Sequence, residues 1–164
     1  MIAIDASTLI LLSKVELLDT FLDSVGMGVF ISKRVEREAT VKESFDAKLI
    51  ESRIKEGKIL VKGIKNRSLA RRIEKDFGLH AGEAETIALC IENGFELIAT
   101  DDYRAMKACA ILKIPFVSAI GILVKLYKKN ELNRREALAA LEGLYHYGRY
   151  SEEIIKEVKK EIGG

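Results

Sequence analysis

Four acidic residues stand where their carboxylates could gather around one metal ion: Asp5, Glu38, Glu83 and Asp101. Asp5 and Asp101 follow short apolar runs that read as buried strands, and both glutamates lie in helical patterns. In a parallel sheet, active-site groups collect at the carboxyl ends of the strands. Two carboxylates about 4 Å apart repel by roughly 4 kcal/mol at an effective dielectric near 20, so a shared cation is needed. Oxygen ligands without nitrogen or sulfur suit Mg²⁺ or Mn²⁺.

Each carboxylate also has a simpler explanation. Asp5 and Asp101 could cap the helices that follow their strands. Glu83 could favour the positive end of its helix, and Glu38 could be a solvated helix residue. Because all four stand near strand ends or early helical turns, the set as a whole favours a metal site.

Helical geometry selects among neighbouring glutamates. At about 100° per residue, Glu83 lies near the apolar flank of its helix, whereas Glu85 is expected to point outward. Glu38 shares a face with Val35, three residues earlier. Since burial of a lone charge is costly, Glu38 and Glu83 are the more informative pair.

The elements that must position these residues alternate between strand and helix. The predicted strands cover residues 2–4, 29–31, 59–61, 97–99 and 116–118. The predicted helices cover residues 6–22 with a break near 14, 33–41, 45–55, 67–77, 82–92, 103–112, 120–129, 134–145 and 152–162. This alternation predicts an α/β fold with a central, mostly parallel sheet flanked by helices. A chain of 164 residues favours one domain, 1–164, in which 119–164 form a helical C-terminal part.

The ordered acidic motifs resemble those of the PIN-domain family. The resemblance lies in four segments: Asp5-Ala-Ser-Thr-Leu-Ile10, Val35-Glu-Arg-Glu38, Gly82-Glu-Ala-Glu-Thr-Ile-Ala-Leu89 and Leu97-Ile-Ala-Thr-Asp-Asp-Tyr-Arg104. The helical tail after Ser118 is similar to that of one archaeal and bacterial subgroup, the VapC-like ribonucleases. Each motif is weak alone, but their order is specific and spans essentially the whole chain.

The resemblance implies a PIN-like three-layer fold and metal-dependent hydrolysis of phosphodiester bonds, usually in RNA. On that reading Asp5, Glu38, Glu83 and Asp101 hold Mg²⁺ or Mn²⁺ and are the catalytic residues. The metal would activate a water and offset charge on the transition state. The family's third motif often carries Asp, so Glu83 is the longer homologue there.

Four further residues are expected around these acids. Ser7 and Thr100 could donate hydrogen bonds to the carboxylates or to metal-bound waters. Asp102 is either a fifth acid or a helix cap, and the cap is favoured. Arg104 is placed to contact a phosphate by its position after the fourth motif.

Other charged and aromatic groups are less specific. Basic stripes at 65–75 and 125–135 could follow a nucleic-acid backbone or form solvated faces. The aromatic tail at 145–150 could stack on bases, but helix packing with exposed polar tips is favoured. Cys90 and Cys109 are predicted to be reduced core residues, and the absence of any Cys/His cluster argues against zinc.

The resulting hypothesis is an endoribonuclease, in the setting of a toxin paired with an antitoxin protein and often forming a homodimer. The apolar faces of the last two helices could pack internally or form that dimer. A stand-alone RNA-processing or DNA-directed nuclease, or a non-catalytic RNA-binding module, remains open. With neither a signal peptide nor a membrane-spanning run, the chain is expected in the cytoplasm.

Overall fold

The centre of the fold is a sheet of five short strands. The computed structural model describes residues 1–163. The strands are β1 (Ile2–Ile4), β2 (Val29–Ser32), β3 (Leu60–Lys62), β4 (Leu97–Ala99) and β5 (Phe116–Val117). They lie in the order β3-β2-β1-β4-β5, and all four pairings are parallel. The predicted α/β fold is confirmed, with β1 in the middle of the sheet.

Helices flank the sheet along the whole described chain. They are α1 (Ala6–Lys14), α2 (Leu18–Ser24), α3 (Lys33–Thr40), α4 (Phe45–Lys55), α5 (Arg67–Phe77), α6 (Ala81–Asn93), α7 (Tyr103–Leu112), α8 (Ala119–Lys128), α9 (Arg134–Tyr147) and α10 (Glu152–Gly163). The predicted break in the first helix is confirmed by the gap between α1 and α2, where Glu16 has a φ of 60°. Within residues 1–163, no helix combines the length and the apolar character needed to cross a membrane.

The sheet separates two apolar clusters. Ile2 and Ile4 of β1 belong to the cluster that also contains buried residues of α1, α2, α8 and α9. Ala3 belongs to the other cluster, which is built largely from α5, α6 and α7. Successive side chains of a strand point to opposite faces, so β1 contributes to both layers. A parallel sheet covered on both faces explains why its strands are apolar throughout.

The C-terminal helices pack against the rest of the molecule. Leu141 and Leu144 of α9 and Val158 and Ile162 of α10 are all buried. α9 passes close to the end of α1, where a Cβ at Gly143 would lie 2.7 Å from a side-chain carbon of Val15. The apolar faces of α9 and α10 were expected either to pack internally or to form a dimer. Internal packing accounts for the burial of these four residues.

Polar residues at the carboxyl edge of the sheet begin the helices that follow the strands. Asp5 accepts a hydrogen bond from a first-turn backbone N–H of α1 at 3.0 Å, and Ser32 does the same for α3 at 3.1 Å. Asp102 caps α7 at 2.8 Å, and Ser118 caps α8 at 3.2 Å. This edge gathers side chains from four strand ends, which is the arrangement predicted for the acidic residues.

Candidate active site

Asp5 lies at the end of the central strand and is almost completely buried, with 2% exposure. Its Oδ1 accepts hydrogen bonds from the Ser7 hydroxyl at 3.1 Å and from the Thr8 N–H at 3.0 Å. Its Oδ2 accepts a hydrogen bond from the Thr100 hydroxyl at 2.5 Å. The expected supporting contacts of Ser7 and Thr100 are thus present, and they hold the Asp5 carboxylate in one orientation.

The electrostatic state of Asp5 follows from its burial. Loss of hydration raises the pKa of its carboxyl from 3.8 to about 6, although hydrogen bonds from Thr100 and Thr8 oppose the shift and the charge of Asp101 adds to it. Among the salt bridges of residues 1–163, none includes Asp5. Asp5 is therefore a buried carboxylate stabilised only by neutral donors.

Asp101 follows the neighbouring strand β4 and is joined to Asp5 through Thr8. The Thr8 hydroxyl donates to Asp101 Oδ2 at 2.7 Å, while its N–H donates to Asp5. The N–H of Ala119 lies 3.2 and 3.1 Å from the two oxygens of Asp101. The hydroxyl of Tyr150 donates to Oδ1, and burial raises the pKa of that hydroxyl. Asp5 and Asp101 thus form a pair held by hydrogen bonds from four segments of the chain.

Two of these contacts were not foreseen from the sequence. The contact of Thr8 with Asp5 could have been predicted from the sequence. If Asp5 caps α1, its carboxylate accepts a hydrogen bond from the N–H of the third helical residue, which is Thr8. Tyr150 was expected to pack with its polar tip exposed, and that expectation is wrong, because its hydroxyl points inward to Asp101. No local pattern reveals this contact, since it joins residues 49 positions apart.

Glu38 and Glu83 form a second acidic pair at the start of α6. The Glu38 carboxylate lies directly against Gly82, where an added Cβ would overlap it. Glu83 accepts a hydrogen bond from the His80 N–H at 2.9 Å, a contact at the positive end of α6, where the simpler explanation placed it. Loss of hydration raises the pKa of both carboxyls. For Glu83 the hydrogen bond from His80 opposes this rise, and the charges of Asp102 and Glu38 add to it.

The prediction that Glu85 points outward is wrong, because the residue is buried, with 5% exposure. Its carboxylate lies between Arg34 Nε at 3.4 Å and Arg67 Nη1 at 3.7 Å. The prediction was wrong because it assumed one covered face, whereas α6 packs against both α3 and α5. Glu83 is only half-buried, so the deeper of the two glutamates is the one paired with arginines.

The other two predicted residues, Asp102 and Arg104, form hydrogen bonds at the ends of helices. Asp102 caps α7, as favoured from the sequence, and its N–H donates to Thr100 Oγ1 at 3.2 Å. Arg104 donates to the carbonyl oxygen of Gly78 at 3.1 Å. This bond ties α7 to the end of α5, and a phosphate contact by Arg104 stays a prediction.

The four predicted acids thus lie at one edge of the sheet in two pairs. Within residues 1–163, no three His, Cys, Asp or Glu side chains form a group that could hold a metal ion together. The donors are nevertheless all carboxylate oxygens, and none of the four forms a salt bridge in the described chain. That chemistry fits a hard divalent cation, with Asp5 and Asp101 as the most closely linked donors.

Carboxylates at the carboxyl edge of a parallel α/β sheet suit a divalent metal ion, and comparison with known families identifies the class of the fold. The family model DUF3368, described as a PIN domain, matches residues 1–164. No curated protein and no solved structure matched the chain. The chain belongs to the PIN-domain family, so the resemblance found in its motifs is confirmed. PIN domains are generally nucleases, while membership of the VapC-like subgroup stays a prediction.

Proposed function

We propose that the protein is a divalent-metal-dependent endoribonuclease. The observation that carries the proposal is the Asp5–Asp101 pair, in which two carboxylates are linked through Thr8 without a cationic side chain. Carboxylates in that state favour an external cation, because close like charges repel and burial penalises ionisation. Burial is the largest cause that raises the pKa of Asp5 to about 6, and the charge of Asp101 adds to it.

The four acids and Thr8 have different roles in the proposed reaction. Asp5 and Asp101 would hold Mg²⁺ or Mn²⁺, and Glu38 and Glu83 would act from the start of α6, where waters can complete the contacts. Such an ion supplies a more acidic bound water and a positive charge beside the scissile phosphate. Thr8 would keep the two aspartates at a fixed separation through its two hydrogen bonds.

Basic side chains near the acids support a nucleic-acid substrate. Arg34 and Arg67 flank Glu85 and remain 43% and 57% exposed. Arg34 also acts on Glu38, where its charge opposes the rise in the carboxyl pKa. Two exposed guanidinium groups beside one carboxylate leave net positive charge, which suits contact with backbone phosphates.

The test is cleavage of a mixed-sequence RNA by the wild-type protein and by Asp5→Asn, with Mn²⁺, Mg²⁺ or EDTA. We expect metal-dependent cuts from the wild type and a loss of roughly 100-fold or more in the variant, since a direct ligand should matter at least as much as a supporting contact. Glu85→Gln is the matched control, because it also removes a buried carboxylate from the same end of the molecule.

Metal-dependent cleavage that survives Asp5→Asn unchanged would refute the assignment of the site. Metal binding without cleavage would point to a narrow substrate or an inhibited toxin, whereas neither cleavage nor metal binding would favour the non-catalytic RNA-binding module. A parallel assay on single-stranded and duplex DNA separates a ribonuclease from a DNA-directed enzyme.

We also propose that the nuclease serves as the toxin of a toxin–antitoxin pair. Exposed apolar side chains at the junction of α3 and α4, Val41 and Phe45, offer contact area for a protein partner. Expression of the wild type in cells should then arrest growth, whereas Asp5→Asn should not. Normal growth with active wild-type enzyme would favour a stand-alone RNA-processing role.

A further inference from the structure

The turn between α9 and α10 reaches the acidic site through one residue that lies outside the four acidic motifs. The Tyr150 hydroxyl donates to Oδ1 of Asp101 and accepts a hydrogen bond from the Ile120 N–H at 3.1 Å. Its ring packs against the apolar cluster on the α8 and α9 side of the sheet. The hydroxyl is therefore held from two sides, by a backbone group at the start of α8 and by the carboxylate.

The turn is shaped around this tyrosine. A Cβ at Gly148 would lie 3.0 Å from two ring carbons of Tyr150 and 2.7 Å from the carbonyl oxygen of Leu144. A side chain at position 148 would therefore crowd both the end of α9 and the ring of Tyr150. The two preceding tyrosines differ, since Tyr145 and Tyr147 are 47% and 53% exposed. Of the three, Tyr150 alone places its hydroxyl on an acid of the candidate site.

The set of hydrogen bonds to Asp101 indicates the role of the Tyr150 hydroxyl. A carboxylate offers about four lone-pair directions. Thr8 takes one on Oδ2, the Ala119 N–H lies between the two oxygens, and Tyr150 takes one on Oδ1. Donors on both oxygens fix the rotation of the carboxyl plane. Without Tyr150, the Oδ1 side would be held only by the longer contact with Ala119.

We infer that Tyr150 is a positioning residue of the metal site, which orients Asp101 for a divalent cation from the C-terminal part of the chain. The inference rests on the proposed function, because it assigns Asp101 to that cation. Groups that hydrogen-bond to metal ligands typically change metal affinity by 10–100-fold when removed. The loss of one hydroxyl should therefore be visible in metal binding itself, independently of RNA cleavage.

The experiment compares Mn²⁺ binding by calorimetry to the wild type, Tyr150→Phe and Tyr127→Phe. Tyr127 is the matched control, because its hydroxyl also bonds within the C-terminal part, to the carbonyl oxygen of Ile162 at 3.1 Å, but touches no acid of the site. We expect Tyr150→Phe to weaken Mn²⁺ binding roughly tenfold or more, and Tyr127→Phe to change it less than about twofold. Metal-free melting temperatures should fall by similar small amounts in both variants, which separates positioning from general stability.

Several results would overturn the inference. Unchanged or tighter Mn²⁺ binding by Tyr150→Phe would show that the hydroxyl does not orient Asp101 for the metal. Equal weakening in both variants would show a general loosening of the C-terminal helices. If Tyr150→Phe fails to fold, Gly148→Ala crowds the ring and the end of α9 instead and should also weaken Mn²⁺ binding; unchanged binding by that variant would count against the inference. Lack of Mn²⁺ binding by the wild type would refute the proposed function, and the inference with it, whereas wild-type binding unaffected in Tyr150→Phe refutes the inference alone.

Discussion

Asp5 and Glu85 are both buried carboxylates, but their surroundings differ in charge. Asp5 is 2% exposed and accepts hydrogen bonds only from neutral hydroxyl and backbone groups. Glu85 is 5% exposed and lies between two arginines. Asp5 directly follows the central strand β1, and Glu85 lies one turn after the start of α6.

The difference shows that depth of burial does not identify a functional acid. A buried charge is costly unless it is paired. Arg34 and Arg67 compensate Glu85 within the protein, so its burial needs no ligand. Within residues 1–163 Asp5 has no such partner, and its compensation must come from a proton or from a cation that binds. Proton and cation compete for the same carboxylate, which makes stability and metal binding measurable signs of the distinction.

The largest expected effect is the dependence of metal-free stability on pH. Asp5 has a pKa of about 6 in the folded protein and 3.8 as its ordinary value, so the folded state retains its proton to higher pH. Its contribution is fully present below pH 3.8 and is lost as the pH rises through about 6, a change of about 3 kcal/mol. In EDTA, denaturant unfolding of the wild type should show this loss, and Asp5→Asn should flatten it.

Because asparagine carries no charge, Asp5→Asn should also be the more stable protein at pH 7 in EDTA. The same pH series on Glu85→Gln provides the control, since that variant keeps Asp5 and should retain the wild-type slope. A wild-type protein whose stability rises between pH 4 and pH 6.5, with the rise absent in Asp5→Asn, would contradict an uncompensated Asp5.

A smaller effect of opposite sign is expected at Glu85. Glu85→Gln removes the charge that two arginines face, so it should lower the free energy of unfolding by about 1 kcal/mol, because the exposure of both arginines limits the loss. For a chain of this size that corresponds to roughly 2–4 °C in melting temperature. A melting temperature that increases, as expected for Asp5→Asn, would mean that the two acids do not differ as described.

The smallest effect concerns Glu38, which lies between the two environments. Its pKa is raised by loss of hydration, while Arg34 opposes that rise and Glu85 adds to it. Gly82→Ala would move the Glu38 carboxylate without removing any charge. We expect cleavage to fall roughly threefold to tenfold, on the scale of a disturbed supporting contact, with stability unchanged or slightly higher because alanine favours a helix.

Glu38→Gln is the comparison for that variant, measured in the same cleavage assay and by thermal melting. If Gly82→Ala retains full activity while Glu38→Gln loses it, the place of the carboxylate matters less than its charge. If neither variant loses activity, Glu38 belongs with the structural acids rather than with Asp5.

Much of the fold could be predicted from the sequence because its signals are local. Apolar runs such as residues 2–4 and 97–99 mark strands, and capping residues such as Ser32 and Asp102 mark helix starts. The pairing of Asp5 with Asp101 followed from a general rule, that the carboxyl ends of parallel strands share one edge. The order of the acidic motifs was enough to indicate the family, which the match over residues 1–164 confirms.

The features that escaped prediction depend on packing between distant segments. The burial of Glu85 requires α3 and α5 to cover α6 from two sides, whereas periodicity reports one apolar face. The inward position of Tyr150 depends on the turn after α9, which brings its hydroxyl to Asp101. Neither arrangement leaves a pattern within a single helix, so neither could be read from residue spacing.

The residues of the acidic site are far apart in the sequence, so they are synthesised at different times. Thr8 reaches Asp101 across 93 positions, and Asp101 reaches Tyr150 across 49 more. At about 5–20 residues per second, on the order of ten seconds separate translation of the first acid from that of the last tyrosine. The hydrogen bond from Tyr150 to Asp101 cannot form before the end of that interval. Under the proposed ribonuclease function, Asp101 therefore acquires its full set of hydrogen-bond donors only late in synthesis.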